Sequence, residues 1–124
     1  LEKSDLEYIF VKNIHAEVAK LLAQGKIVAR FTGKMEYGPR ALGHRTILVN
    51  ASDSDTINWL NLKLKRTGFM PFAPAILDSE FDNYFINGSK AQHTSKFMNI
   101  SLDVTEKMKK TCPGAVHTDG TARP

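Results

Sequence analysis

A glycine-rich, cation-rich stretch between two short apolar runs is the feature that most restricts the fold of this chain. The stretch covers residues 30–45 and holds three evenly spaced glycines and four cations: Gly33, Gly38, Gly43, Arg30, Lys34, Arg40 and Arg45. The flanking runs, residues 26–31 and 46–49, are short and rich in branched side chains, so each is predicted to form a strand. The sequence therefore predicts two strands joined by a long, positively charged loop.

The composition of this loop is typical of an anion pocket. Glycines let backbone N–H groups approach a ligand closely, and Arg and Lys neutralise its charge, so phosphate is the expected ligand. The spacing from Gly33 to Gly38 begins like a P-loop, but Pro39-Arg40 follows where Lys-Ser/Thr is required. Because Pro39 has no N–H to donate, a P-loop nest is excluded. On composition alone, a surface turn with solvated cations explains the stretch equally well.

Three strings of the sequence resemble one protein family. They are GKMEYGPRALGHRTIL at residues 33–48, FMPFAPAIL at 69–77 and HTDGTAR at 117–123. In this order they resemble the C-terminal domain of the NodU/TobZ-type O-carbamoyltransferases. That domain is similar to the YrdC/Sua5 fold, so the resemblance implies that residues 1–124 are a single, incomplete YrdC-like domain. The family's domain continues into a stretch of the type Asn-Thr-Ser-Phe-Asn, which this sequence does not reach.

The resemblance also implies a function. Such domains are thought to form carbamoyl-adenylate from carbamoyl phosphate and ATP, and a separate N-terminal Kae1-like domain transfers the carbamoyl group to a hydroxyl. Carried onto this sequence, Arg40 and Arg45, helped by Lys34 and the backbone at Gly38, would hold the phosphate groups. Mg²⁺ would accompany ATP, held mainly by phosphates and water, so no metal site built from protein side chains is expected. Activity is expected only within a longer protein.

Lys65 and Arg66 are further candidates for nucleotide binding. They lie at the end of a helix predicted over residues 54–66. One interpretation is favourable pairing of cations with the C-terminal end of the helix. The other is a second cationic wall for a polyphosphate, and the two interpretations carry equal weight.

The segment around the predicted turn Asp119-Gly120 also concentrates polar groups. A turn satisfied by its own side chains is one interpretation. The resemblance favours substrate contact instead, with Arg123 as an anion ligand and His117 or Asp119 as polar contacts. Glu36, in the central loop, is interpreted as the partner of an arginine in preference to a metal ligand.

Helices alternate with strands along the chain, which predicts an α/β or α+β class with a mixed twisted sheet and flanking helices. Helices are predicted at residues 4–24, 54–66 and 79–85. Strands are predicted at residues 26–31, 46–50, 73–77 and 97–104, with a possible last strand after the 119–120 turn. Residues 90–95 are predicted to be a mobile polar loop, and residues 105–111 a lysine-bearing connector.

Composition limits the class of protein. A length of 124 residues with 42% hydrophobic and 24% charged residues is typical of one soluble globular domain. The formal charge of +4 suits an anionic ligand and leaves RNA as a weaker candidate. The single cysteine, Cys112, cannot form an internal disulfide, so a reducing, cytoplasmic compartment is expected. No apolar run approaches the ~20 residues of a membrane span, so no membrane partner is expected.

Two functions of other classes remain open on the sequence. A nucleotide- or RNA-binding module without catalysis would use the same cations and would show steep salt dependence. A structural domain packed on a catalytic domain would expose an apolar patch around Trp59 and would bind no anion.

Overall fold

Short helices and strands make up the chain in the computed structural model, which describes residues 5–67 and 70–124. The helices are α1 (Ile14–Ala23), α2 (Ser54–Lys63), α3 (Phe81–Tyr84), α4 (Gln92–Ser95) and α5 (Glu106–Thr111). The strands are β1 (Val28–Phe31), β2 (Arg45–Leu48), β3 (Leu102–Asp103) and β4 (Thr121–Ala122). Single turns of 3₁₀-helix lie at Asp78–Glu80, Gly88–Lys90 and Pro113–Ala115.

The first two strands form the hairpin that carries the cationic loop. β1 and β2 are antiparallel, with Val28 opposite Leu48 and Phe31 opposite Arg45. The connection between them is the glycine-rich segment, residues 32–44. Both predicted strands are confirmed, and the loop joins their adjacent ends.

The hydrophobic core lies in the second half of the chain. It is formed by Phe81, Phe85, Val104, Met108, Ala115 and Ala122. β3 pairs antiparallel with β4, and an isolated bridge joins Phe85 to Val104, so α3 and α5 are held on the same small ladder. Phe85 and Met108 are fully buried, and the Phe81 and Phe85 rings lie 4.9 Å apart between centroids.

α2 begins as predicted, because Asp53 caps it. The Asp53 carboxylate accepts the backbone N–H groups of Asp55 and Thr56 at 2.9 and 3.3 Å. Ile57 and Leu60 are buried as expected, and Gly114 packs against Ile57 so closely that a Cβ there would lie 2.6 Å from Ile57 Cγ1. This contact ties α2 to the segment that follows α5.

The start predicted for the first helix is wrong, because the helix begins about ten residues later than residue 4. α1 begins at Ile14, with Asn13 as its cap accepting from the backbone N–H of Ala16 at 3.2 Å. The first residue of the predicted helix, Ser4, lies outside the described residues. Leu6, Ile9 and Phe10, spaced like one apolar face of a helix, are 66%, 88% and 88% exposed, so a helix there would gain no tertiary stabilisation. The predicted end is confirmed, because Gly25 follows α1 with φ +73° and donates its N–H to Leu22 O.

The strand predicted at residues 73–77 is wrong, and the strand predicted at 97–104 is shortened to Leu102–Asp103 with the Val104 bridge. Residues 71–77 run without a strand partner. Pro71 and Pro74 donate no backbone N–H, so this segment cannot support a continuous ladder.

Two segments predicted to lack structure are helical. Residues 92–95 form α4, in which Ser95 is buried and its hydroxyl donates to Ala91 O at 2.9 Å. Residues 106–111 form α5, which is capped by Thr105 and held by the buried Met108. In both cases one buried side chain anchors a segment that is otherwise polar.

The α+β class is confirmed. Within the described residues the strands form two separate antiparallel pairs rather than one mixed sheet. No helix there is both long enough and apolar enough to cross a membrane.

We expect the stability of the hydrophobic core in the second half of the chain to depend on Met108. Met108→Ala should lower the free energy of unfolding by about 2–5 kcal/mol, because it leaves a cavity beside Phe81 and Phe85. Urea unfolding followed by circular dichroism measures this change. Met70→Ala is the matched control, since Met70 is 47% exposed. Equal unfolding midpoints for the two variants would contradict this placement of the core.

Candidate anion-binding loop

Glu36 closes the glycine-rich loop from inside. Its Oε1 accepts the backbone N–H groups of Leu42, His44 and Arg45 at 2.9, 2.5 and 3.0 Å. The side chain is only 6% exposed. Converging backbone N–H groups of this kind form a nest that favours an anion. In this loop the anion in the nest is the chain's own carboxylate.

The electrostatics of Glu36 follow from these contacts. The backbone N–H of Arg45 is the largest cause that lowers the pKa of Glu36 from 4.5 to about 2, with further contributions from the N–H groups of His44 and Leu42. Desolvation opposes this shift, but the hydrogen bonds outweigh it. His44 Nδ1 lies 3.9 Å from the same oxygen. Glu36 is therefore ionised at neutral pH.

Arg45 closes the base of the loop with its cationic side chain. Its Nη1 donates to Thr32 O at 2.6 Å and to His44 O at 3.2 Å, and its Nη2 donates to Gly33 O at 2.9 Å. The guanidinium carbon lies 3.7 Å from the centre of the Phe31 ring. These contacts use three of the five guanidinium donors on the loop itself.

The other cations of the loop are exposed. Lys34 and Arg40 are both exposed. Gly38 lies between them with φ +105°, a conformation that a residue with a Cβ rarely adopts. Tyr37, next to the buried Glu36 carboxylate, is fully exposed. The charged side chains of Glu36 and Arg45 thus bind the backbone of the loop, whereas Lys34 and Arg40 are exposed.

Lys65 and Arg66 lie just beyond α2. Lys65 is exposed and has φ +52°. Arg66 donates from Nη2 to Pro71 O at 3.3 Å, and its guanidinium carbon lies 4.3 Å from the centre of the Phe72 ring. Within the described residues, no hydrogen bond or ion pair connects either cation to the loop. Arg66 fastens the segment that follows α2, and Lys65 remains the more accessible cation.

The turn at Asp119-Gly120 organises a hydrogen-bonded chain. Asp119 Oδ1 accepts the backbone N–H and the hydroxyl of Thr121 at 2.9 and 2.8 Å. These two contacts lower the pKa of Asp119, the N–H being the larger cause. An ionised carboxylate can only accept hydrogen bonds, so the Thr121 hydroxyl donates its hydrogen to Asp119. The Thr121 hydroxyl oxygen then accepts from His117 Nδ1 at 3.2 Å.

This chain of donors assigns the tautomer of His117. With the hydrogen on Nδ1, the Nε2 atom is an acceptor, and it is buried without a partner among the described residues. Nε of Arg123, directly after β4, is likewise buried without a partner in that part of the chain. Buried polar atoms are nearly always paired, so these two atoms have hydrogen-bonding capacity that the described part of the chain does not use.

An apolar cleft borders the loop. Its volume is about 770 Å³. One side is lined by Ala41, Leu42 and Gly43 of the loop, another by residues 72–78, and the core side chains Phe81 and Met108 reach it from below. Arg40 and Arg45 are not among its described lining residues, so the expected convergence of their two guanidinium groups on one cavity stays a prediction.

The structure also shows what sequence reasoning missed. Glu36 is predicted to be the partner of an arginine; it accepts the backbone N–H of Arg45, and the N–H groups of Leu42 and His44, which the sequence did not indicate, bind the same oxygen. The available signal was one acidic residue in a loop with three glycines and four cations. Within the described residues, no group of three or more His, Cys, Asp and Glu side chains is placed to hold a metal ion.

Glu36 makes the stability of the protein depend on pH. Its folded-state pKa of about 2 lies below the ordinary 4.5, so its contribution is present above about pH 4.5 and is lost as pH falls toward 2. We expect wild type to exceed Glu36→Gln in free energy of unfolding at pH 6, and the difference to shrink between pH 4.5 and 2.

Urea unfolding at a series of pH values measures that difference. Glu7→Gln is the control, because Glu7 is exposed. A difference that stays constant down to pH 2 would show that the Glu36 carboxylate is not held by the loop.

The matches to known proteins cover both the loop and the terminal turn. Residues 19–124 match a family model described as carbamoyltransferase C-terminus. The chain is 36% identical to an uncharacterised protein of Methanocaldococcus jannaschii, over 98% of this chain and 20% of that protein. It is 38% identical to nodulation protein U of Azorhizobium caulinodans, over 87% of this chain and 19% of that protein.

It is also 34% identical to nodulation protein NolNO of Sinorhizobium fredii, over 90% of this chain and 16% of that protein. The chain spans a fifth or less of the length of these relatives. The family match includes the whole hairpin, the central loop and the 117–123 segment. This chain therefore belongs to the carbamoyltransferase C-terminal family.

Proposed function

We propose that this chain is the part of an O-carbamoyltransferase that binds carbamoyl phosphate and ATP and forms carbamoyl-adenylate. A separate N-terminal Kae1-like domain of the same natural protein then transfers the carbamoyl group to a hydroxyl. The observation that carries this proposal is the loop at residues 32–44, in which Glu36 and Arg45 fix the backbone while Lys34 and Arg40 stay exposed.

The charges of this loop suit the proposed reaction. Carbamoyl phosphate and ATP are both polyanions, and bringing them together requires cations that are already in position. Lys34 offers a point charge, and Arg40 offers a planar fork that matches phosphate oxygens. Preorganised donors of this kind also stabilise charge that builds on the transferring atoms, and losing one costs on the order of 10²–10³ in rate at oxyanion sites.

The division of roles among the arginines differs from the expectation based on sequence. In our proposal Arg40 contacts substrate, whereas Arg45 mainly keeps the loop closed, since it already donates to three backbone carbonyls. The described contacts use three of the five guanidinium N–H groups of Arg45, so the proposal also includes a contact from Arg45 to a bound phosphate. Gly38 supports the site by letting the backbone approach the ligand.

The second polar cluster fits a nucleotide or a carbamoyl group. Arg123 would supply a positive charge, and His117 Nε2 would accept from a ligand N–H or hydroxyl, with Asp119 holding the tautomer through Thr121. Lys65 is the proposed distal cation for a polyphosphate. Mg²⁺ would enter with ATP, coordinated mainly by phosphate oxygens and water.

A structural role in the longer protein is the second candidate. Trp59 and Leu62 on α2 are 50% and 78% exposed, and Phe10 and Phe31 are 88% and 82% exposed. Large apolar side chains exposed in this way are typical of a docking face when they lie together. Packing of α2 against the rest of the polypeptide is compatible with anion binding by Lys34 and Arg40, since α2 does not carry these cations.

We expect Arg40→Ala and Lys34→Ala each to weaken binding of carbamoyl phosphate or of ATP with Mg²⁺ by about tenfold or more. Each variant loses a charge-assisted hydrogen bond, and such bonds contribute roughly 1.5–3 kcal/mol. Isothermal titration calorimetry on the natural full-length protein measures the two affinities. Lys110→Ala is the matched control, because Lys110 is an exposed cation on α5 and is not part of the loop. Wild-type affinity in Arg40→Ala would show that the site is elsewhere.

The affinity for RNA and its dependence on salt concentration test the competing hypothesis of an RNA-binding module. A small-molecule site should bind a short RNA oligonucleotide weakly, at the non-specific level of about 10⁻⁴–10⁻⁶ M. Fluorescence anisotropy between 50 and 200 mM salt gives the affinity and its slope. Tight RNA binding that falls steeply with salt, together with no carbamoyl phosphate binding, would favour the RNA-binding module instead.

A further inference from the structure

We propose that Glu36 is a positioning residue of the anion site, whose carboxylate takes the place of a bound anion in the backbone nest. The substrate then meets the exposed side chains of Lys34 and Arg40 and not the backbone N–H groups of Leu42, His44 and Arg45. This inference rests on the proposed function, since it concerns the same loop.

The backbone nest of the loop is already occupied. The N–H groups of Leu42, His44 and Arg45 are the donors that a phosphate in this loop would be expected to use. All three point at one oxygen of Glu36, within 2.9, 2.5 and 3.0 Å. A bound phosphate and this carboxylate cannot occupy the same nest. The glycine-rich loop therefore resembles an anion nest but already holds its anion.

Arg45 connects Glu36 to the start of the loop. The side chain of Arg45 binds carbonyls at the start of the loop, Thr32 and Gly33, while its backbone N–H binds Glu36. One residue thus connects both ends of the loop to the Glu36 carboxylate. The loop has no regular secondary structure. It gains a defined shape because these two side chains bind three of its backbone N–H groups and three of its backbone carbonyls.

The two proposed substrate-binding cations, Lys34 and Arg40, lie between fixed points of the loop backbone. Lys34 is two residues before Glu36, and Arg40 is four residues after it. Both lie between points where the loop is fixed, namely Gly33, Glu36 and Leu42. Fixing the backbone on each side reduces the conformational freedom lost when Lys34 and Arg40 bind a phosphate. Glu36 therefore acts on affinity through these side chains, without touching the substrate.

The test is chemical rescue of a variant that lacks the carboxylate. In the full-length protein, Glu36→Ala should weaken carbamoyl phosphate binding about tenfold or more, measured by calorimetry. Sodium acetate at tens of millimolar should restore most of the lost affinity, because its carboxylate fills the empty nest. Glu36→Gln should lie between wild type and Glu36→Ala, since its carbonyl oxygen still accepts hydrogen bonds but carries no charge.

Two controls separate positioning from other roles. Acetate should not restore Arg40→Ala, because that variant lacks a substrate contact and not the nest anion. Glu7→Gln should bind as wild type does, since Glu7 is exposed and is part of no site described here. Amide chemical shifts of Leu42, His44 and Arg45 in Glu36→Ala should move on acetate addition, a readout that requires no substrate.

The outcomes are distinct. Wild-type affinity in Glu36→Ala overturns the positioning role and leaves the proposed function standing. Tighter binding in Glu36→Ala also overturns it, because it would show that substrate uses the nest and competes with Glu36. Lost affinity that acetate does not restore, with no change in the three amide shifts, assigns Glu36 a purely structural role and overturns the proposal. Failure of the wild type to bind either ligand overturns the proposed function itself.

Discussion

The shape of the candidate anion-binding loop depends on two side chains, Glu36 and Arg45, which bind its backbone in complementary ways. Glu36 accepts backbone N–H groups, and Arg45 donates to backbone carbonyls of the same loop. An anionic side chain thus satisfies three backbone N–H groups, and a cationic side chain satisfies three backbone carbonyls, at the two ends of the loop. The hairpin of β1 and β2 supplies the two fixed ends that this pair requires.

The hairpin and the hydrophobic core are separate parts of the architecture. The core belongs to residues 81–122, whereas the loop projects from a two-stranded ladder at residues 28–48. The apolar cleft lies where the loop, the 72–78 segment and the core come together. A site built at such a junction responds to changes in either part, because the loop residues Ala41, Leu42 and Gly43 form one wall of the cleft.

Local signals predicted the elements well where one residue type decided the outcome. Asp53 begins α2, and Gly25 follows the end of α1, since a capping carboxylate and a residue with positive φ act within a few residues. Periodicity failed before α1, because an apolar stripe stabilises a helix only when another surface covers it. Composition failed at α4 and α5, where single buried residues, Ser95 and Met108, anchor polar segments.

Sequence by itself determined the family, the two strands around the cationic loop and the identity of the loop's charges. Only the tertiary structure decided which of these charges are internal and which are exposed. Arg40 and Arg45 look alike in the sequence, yet one is exposed and the other binds Thr32 and Gly33. The physical reason is that Glu36 and its three N–H partners, and Arg45 and its partners Thr32 and Gly33, are 6 to 13 residues apart and come close only when the β1–β2 hairpin forms.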